Sequence, residues 1–116
     1  MANKQAMKLL KKQDVEAFNS WIRGRRKKGK KSLDLNDQNL SGLKLQGIDL
    51  KDAHLNGTNL RGTDLRDADL REARLRQADL REANLQGADL SGANLKQSKQ
   101  KKANFKKAKL KNAKGI

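Results

Sequence analysis

The residues with chemistry to offer are two runs of cations. Arg23, Arg25, Arg26, Lys27, Lys28, Lys30 and Lys31 fill seven of nine consecutive positions. Lys99, Lys101, Lys102, Lys106, Lys107, Lys109 and Lys111 crowd the other end, with Lys96 and Lys114 beside them. Clustered guanidinium and ammonium groups displace the counterions of a polyanion, so this composition points to phosphate or carboxylate partners. Little else could react. His54 is the single histidine and falls in an outward slot as a surface residue. The absence of cysteine removes thiol catalysis, disulfides and cysteine-based metal sites. No Ser/His/Asp set can be assembled, the aspartates recur too regularly to be an acid/base pair, and single glycines build no phosphate loop. The expectation is no enzyme, no metal and no cofactor.

The charge is segregated along the chain. Of a net +15, residues 1–32 carry eleven basic and two acidic side chains, residues 33–95 carry eight and eleven, and residues 96–116 carry nine lysines and no acid. Both ends are therefore strongly positive and the middle is slightly negative. With 34% hydrophobic and 35% charged residues, composition alone resembles disorder. No apolar run is long enough to span a membrane and no apolar secretory leader is visible, so a cytoplasmic protein is expected.

What positions the cations is a strict period. Leucine occupies every fifth residue from Leu35 to Leu95, thirteen times, and the same beat then falls on Gln100, Phe105 and Leu110. Two residues before each beat, from Ala53 to Ala113, stands Ala, Thr or Ser. A period of five suits neither a helix nor one continuous strand, because neither would keep the leucines on one side. It works if the chain turns once per repeat. The small residue and the leucine, two apart, then both point inward from a very short strand, and a corner follows. Gly42, Gly47, Gly57, Gly62, Gly87 and Gly92 lie two after the leucine, and Asp or Asn often precedes it, as turns require.

The run Ala-Asp-Leu-Arg-Glu, Ala-Asn-Leu-Gln-Gly, Ala-Asp-Leu-Ser-Gly at residues 78–92 resembles the pentapeptide-repeat family, A(D/N)LXX. The resemblance covers about residues 33–114. It implies an all-β solenoid: a right-handed, quadrilateral parallel β-helix with four pentamers per coil. Sixteen beats then make about four coils, a rod roughly 19 Å long at about 4.8 Å per coil. It also implies a binding module. Some members act on topoisomerases by imitating duplex DNA, which needs an acidic rod; the basic ends here disfavour that role.

Residues 1–31 lie outside the repeat and residues 32–114 within it. Met7, Leu10, Val15, Phe18, Trp21 and Ile22 sit near helical spacing over about residues 4–23, as one helix or two broken near Gln13-Asp14, with Gly24 as a stop. Val15, Phe18, Trp21 and Ile22 form the apolar face expected to cover the first coil, since a solenoid needs its end closed. The stretch 14–21 is similar to the helical leader of many family members. A membrane-surface helix is the alternative, favoured by Lys4, Lys8, Lys11 and Lys12 and opposed by Asp14 and Glu16. Residues 23–31 read as a self-repelling connector, either a solvated linker or a polyanion-binding segment.

Departures from the period carry expectations too. Leu33, Leu43 and Ile48 replace the small residue in the first repeats, where they fit a helix interface. Gln38 must find a hydrogen-bond partner. The inward beats continue past Gln100, so the last lysines decorate a folded coil whose weakest point is Gln100. Residues twenty apart should stack, giving columns such as Asp49, Asp69, Asp89 and Lys109, with lateral pairs such as Arg66 with Asp67 and Arg71 with Glu72 offsetting like charges. The partner expected first is RNA or DNA backbone, or a ribonucleoprotein. At six phosphates the log–log salt slope would be about −5. An acidic protein partner and anionic lipid are the alternatives. A homodimer through the C-terminal end occurs in relatives, and the lysine collar opposes it here.

Overall fold

The computed structural model describes residues 2–116. Helix α1 spans Lys4–Lys11 and α2 spans Val15–Lys27, followed by the short strands β1, Leu33–Asp34, and β2, Ala53–His54. β1 and β2 pair in parallel, Leu33 with Ala53. Beyond them the same register continues as single parallel bridges, from Asn39 with Asn59 to Asn94 with Lys114, every partner twenty residues away. Four pentads therefore make one circuit, and the column Asp49, Asp69, Asp89, Lys109 stacks rung on rung. The ladder runs through the lysine-rich residues, with Lys99, Asn104, Lys109 and Lys114 all bridged to the coil below.

Each corner is one turn. The residue two after each inward beat (Leu, or Gln100 and Phe105) lies in the left-handed region in all sixteen repeats, from Asp37 to Asn112, with φ between 56° and 76°. The next amide closes the turn onto the leucine carbonyl, as from Ala78 to Leu75 at 3.1 Å. Glycine is the residue suited to this conformation, yet only six corners use it. Asp, Glu, Gln, Lys or Asn fill the other ten. The corner is set by the inward residues on either side, and stacking overrides the local preference of about 1–2 kcal/mol. Asp and Asn before the leucine accept from the amide two residues on, as Asp79 does from Arg81 at 3.1 Å and Asn84 from Gln86 at 3.1 Å.

Inside, the leucines from Leu35 to Leu95 are sealed from solvent, and so are the small residues between Ala53 and Ala93. Thr58 and Thr63 keep their hydroxyls satisfied by donating to the carbonyls of Leu35 and Leu40, at 2.6 and 2.8 Å. Leu33 and Ile48 are buried and Leu43 partly so. Gln38 donates to the Asn36 carbonyl at 3.0 Å. Gln100 breaks the leucine column but donates to Ser98 Oγ and the Gly115 carbonyl, both at 2.8 Å. Phe105 and Leu110 are half-buried.

The two helices lie against the first coil and share its core. Ala6, Leu10, Phe18 and Ile22 are buried with the leucines, and Met7, Val15 and Trp21 pack partly buried beside them. Asn3 and Asp14 start the helices by accepting from the amides of Ala6 and Ala17. Gln13, at φ 57°, makes the bend between them. Helix side chains also serve the exposed backbone of the first coil. Gln13 Oε1 accepts from the Lys44 amide at 2.7 Å, and Asn19 accepts from the Asp49 amide at 2.8 Å while donating to the Gly47 carbonyl. In the coils above, the equivalent amides bond downward, as Asp64 does to Leu43.

Two expectations at this end need correction. Gly24 does not stop the helix: α2 continues three residues further and closes at Lys28, where Gly29 at φ 83° provides the turn. The connector expected over 23–31 is therefore shortened to residues 28–31. Arg23 to Lys27 form the end of α2, where cations favour the negative pole of the helix dipole.

Candidate polyanion interface

The structure divides the seven N-terminal cations into two kinds. Arg26 reaches the first coil and donates to both carboxylate oxygens of Asp49, at 2.6 and 2.7 Å. Arg25 stacks over Trp21, 5.2 Å from the ring centroid, and donates to the Ser32 carbonyl at 3.2 Å. Both are half-buried and occupied by the fold. Arg23, Lys27, Lys28, Lys30 and Lys31 are exposed. Lys28 and Lys30 line a shallow depression with Trp21 and Arg25. Trp21 packs against Phe18, with ring centroids 5.8 Å apart. That ring is the aromatic surface nearest these cations, and Arg25 covers it.

At the other end Lys99, Lys101, Lys102, Lys106, Lys107, Lys109 and Lys111 are all exposed. Lys101 and Lys102 share a cleft with Arg61, Arg81 and Glu82, so four cations surround one carboxylate. Arg61 pairs with that carboxylate at 3.1 Å. The two basic clusters do not merge into one site. The intervening coils separate Arg23–Lys31, at the helical end, from the lysines, which ride on the last bridged rungs.

The body between them neutralises most of its own arginines. Arg66, Arg71 and Arg81 fold back onto Asp64, Asp69 and Asp79, each the residue just before the intervening leucine, at 2.7, 2.6 and 2.6 Å. This corrects the lateral pairs expected for Arg66 and Arg71. Neighbouring outward residues two apart point the same way, whereas Asp67 and Glu72 sit on the corners. The Arg81 guanidinium, bonded to Asp79, holds that carboxyl down at about 2. Arg66 lowers Asp64 in the same way. At Asp69 burial pushes upward, but the bonds from Arg71 prevail and the carboxyl lies below its ordinary range.

One face is built differently. Its outward position before the leucine holds His54 and Arg74 on the two middle rungs, whereas Asp34 below and Asn94 above accept the usual corner amide. A stacked pair of asparagines replaces that bond: Asn36 Oδ1 accepts from the Asn56 amide at 2.8 Å, and Asn56 Oδ1 from the Arg76 amide at 2.9 Å. Sequence reading missed this face, because its cations are scattered along the chain and become neighbours only through the twenty-residue register. The repeated His54–Arg74–Asn94–Lys114 spacing was the available signal.

Residues 34–71 and 58–97 match the family of pentapeptide repeats, in eight copies. No curated protein matches the chain. Among solved structures, the chain is similar to a pentapeptide repeat protein from the cyanobacterium Cyanothece 51142, with 31% identity, 73% of this chain and 60% of that one covered, and a TM-score of 0.52. It is also similar to a pentapeptide repeat protein of the Arabidopsis thaliana thylakoid lumen, with 34% identity, 65% and 59% covered, and a TM-score of 0.50. The chain thus spans less than two thirds of the length of either. The period, the twenty-residue ladder and these matches agree: the chain belongs to the pentapeptide-repeat family, whose fold is the right-handed parallel β-helix.

Proposed function

We propose that the protein is a non-enzymatic binding module: about four coils of β-helix, capped by α1 and α2, that hold a nucleic-acid backbone against their cations. The carrying observation is the division between paired and free charge. Arg26, Arg61, Arg66, Arg71 and Arg81 have carboxylate partners, while the lysines at 27–31 and 99–111 extend into solvent. The lysines at 99–111 ride on the bridged ladder, so a bound strand meets their backbone already held in place. Phosphate contact is the mode this composition favours. Aromatic residues make up 3% of the chain, which leaves few platforms for stacking bases.

The test is a binding titration with RNA and DNA across salt. Affinity that falls steeply with salt, with a log–log slope near −5 for about six phosphates, is the expected result. Salt-insensitive binding, or none at low salt, ends this reading. Recovery of an acidic protein from nuclease-treated lysate would favour the second one, a scaffold for an acidic partner. That reading draws on the same free lysines.

A further inference from the structure

A groove runs up the face that carries the asparagine pair. Its lining includes Lys31 at the helical end, then His54, Arg74 and Arg76 on one side and Asp52 and Glu72 on the other. His54 and Arg74 are bridge partners on adjacent rungs, about 4.8 Å apart. Arg74 and Arg76 leave the same rung on either side of inward Leu75, roughly 6–7 Å apart along the strand. The column starts on Asp34 below His54 and continues above Arg74 to Asn94 and Lys114. With Lys31 also in its lining, the groove runs along the rod between the two basic ends.

Two observations mark these cations off from the rest of the body. Among the described residues, Arg74 and Arg76 are the body arginines without a carboxylate within ion-pair distance; Arg61, Arg66, Arg71 and Arg81 all have one. Both side chains are exposed, and Arg76 makes only a long 3.4 Å contact to Gln97. Further, the Asp or Asn that would pair with such an arginine is absent from this rung. The asparagine pair supplies its structural bond from the coil below, which frees that position for a cation. Asp52 and Glu72 on the opposite wall make the groove amphoteric. It suits a ligand with phosphates on one edge and hydroxyl donors on the other.

Resting on the nucleic-acid reading above, we propose that this groove is the track of single-stranded RNA, with phosphates on Lys31, Arg74 and Arg76 and 2′-hydroxyls donating to Asp52 and Glu72. The 2′-hydroxyl is the donor that DNA lacks. The groove orients the strand along the rod and joins the end clusters into one continuous path.

The test uses the full chain and fluorescence anisotropy, with a uridine oligomer of about ten nucleotides and its deoxy counterpart, a length within single-strand site sizes. The wild type should bind the RNA more tightly than the DNA. R74Q/R76Q should weaken both and flatten the salt slope by about 1.4, two phosphates at about 0.7 each on a single strand. D52A/E72A should erase the difference between RNA and DNA. Thermal unfolding by circular dichroism verifies that each variant is folded. If R74Q/R76Q binds like the wild type while K101Q/K102Q/K106Q/K107Q loses binding, the groove is overturned and the nucleic-acid reading stands. Equal wild-type affinity for RNA and DNA overturns the role of the carboxylate wall. No wild-type binding to either strand overturns both readings.

Discussion

Arg26, in the last turn of α2, grips Asp49 on the first coil with two charge-assisted hydrogen bonds of 2.6 and 2.7 Å. The pair joins segments 23 residues apart in sequence, and its side chains are 24% and 17% exposed. It fastens the basic end of the helix to the solenoid, so the cations beside it project from a fixed base. A bidentate pair this well shielded differs from the exposed Arg61–Glu82 pair, whose side chains are 51% and 50% exposed.

Arg26→Ala and Asp49→Ala should each destabilise the fold by about 1.5–3 kcal/mol, the range for hydrogen bonds to charged groups. The double variant should cost less than the sum of the two, measured by urea unfolding in a double-mutant cycle. Strict additivity would mean that the contact contributes nothing. Arg61→Ala with Glu82→Ala, in the same assay, should show almost no coupling.

The leucine column should not be uniform in its energetics. Leu75→Ala removes a fully buried side chain from the middle of the column and should cost about 3–5 kcal/mol, transfer and cavity terms together. Leu110→Ala, at a half-buried position, should cost less than half as much. Equal losses in chemical denaturation would mean that the last coil is as well packed as the middle.

Acid should loosen the body through its Asp–Arg pairs. The carboxyl of Asp79 is depressed to about 2 in the fold by its bond from Arg81, whereas an unfolded aspartate titrates near 3.9. The unfolded chain thus binds the proton more readily. The contribution is complete above about pH 4 and disappears as pH falls from about 4 toward 2. Asp79→Asn should flatten the stability profile within that window and leave it unchanged in shape near neutrality. A carboxyl titration of Asp79 by NMR near 3.9 would refute the assignment.

Much of this architecture is legible in the chain because a period of five leaves one arrangement that buries anything. Leu35 to Leu95 and the small residues before them had to point inward, and four pentads per coil put Asp49 under Asp69 and Asp89. The corners were half legible. Glycines marked six of them, while Glu72, Gln77 and Lys102 adopt the same backbone with no local signal, since the stacked coils on either side dictate it. The end of α2 was misread at Gly24 for a related reason. An isolated glycine weakens a helix, but Phe18, Ile22 and Arg26 anchor this one to the coil on both sides of that residue.

The sequence by itself determined the inside of this protein, its period and the segregation of its charge. Only the tertiary structure decided which charges are free. Ion pairs and hydrogen bonds act over a few ångströms, and stacking brings residues twenty or more apart within that range. Arg26 is thereby consumed by Asp49, Asn36 and Asn56 take over a corner bond, and among the described residues Arg74 and Arg76 are left outside ion-pair distance of any carboxylate, along one groove.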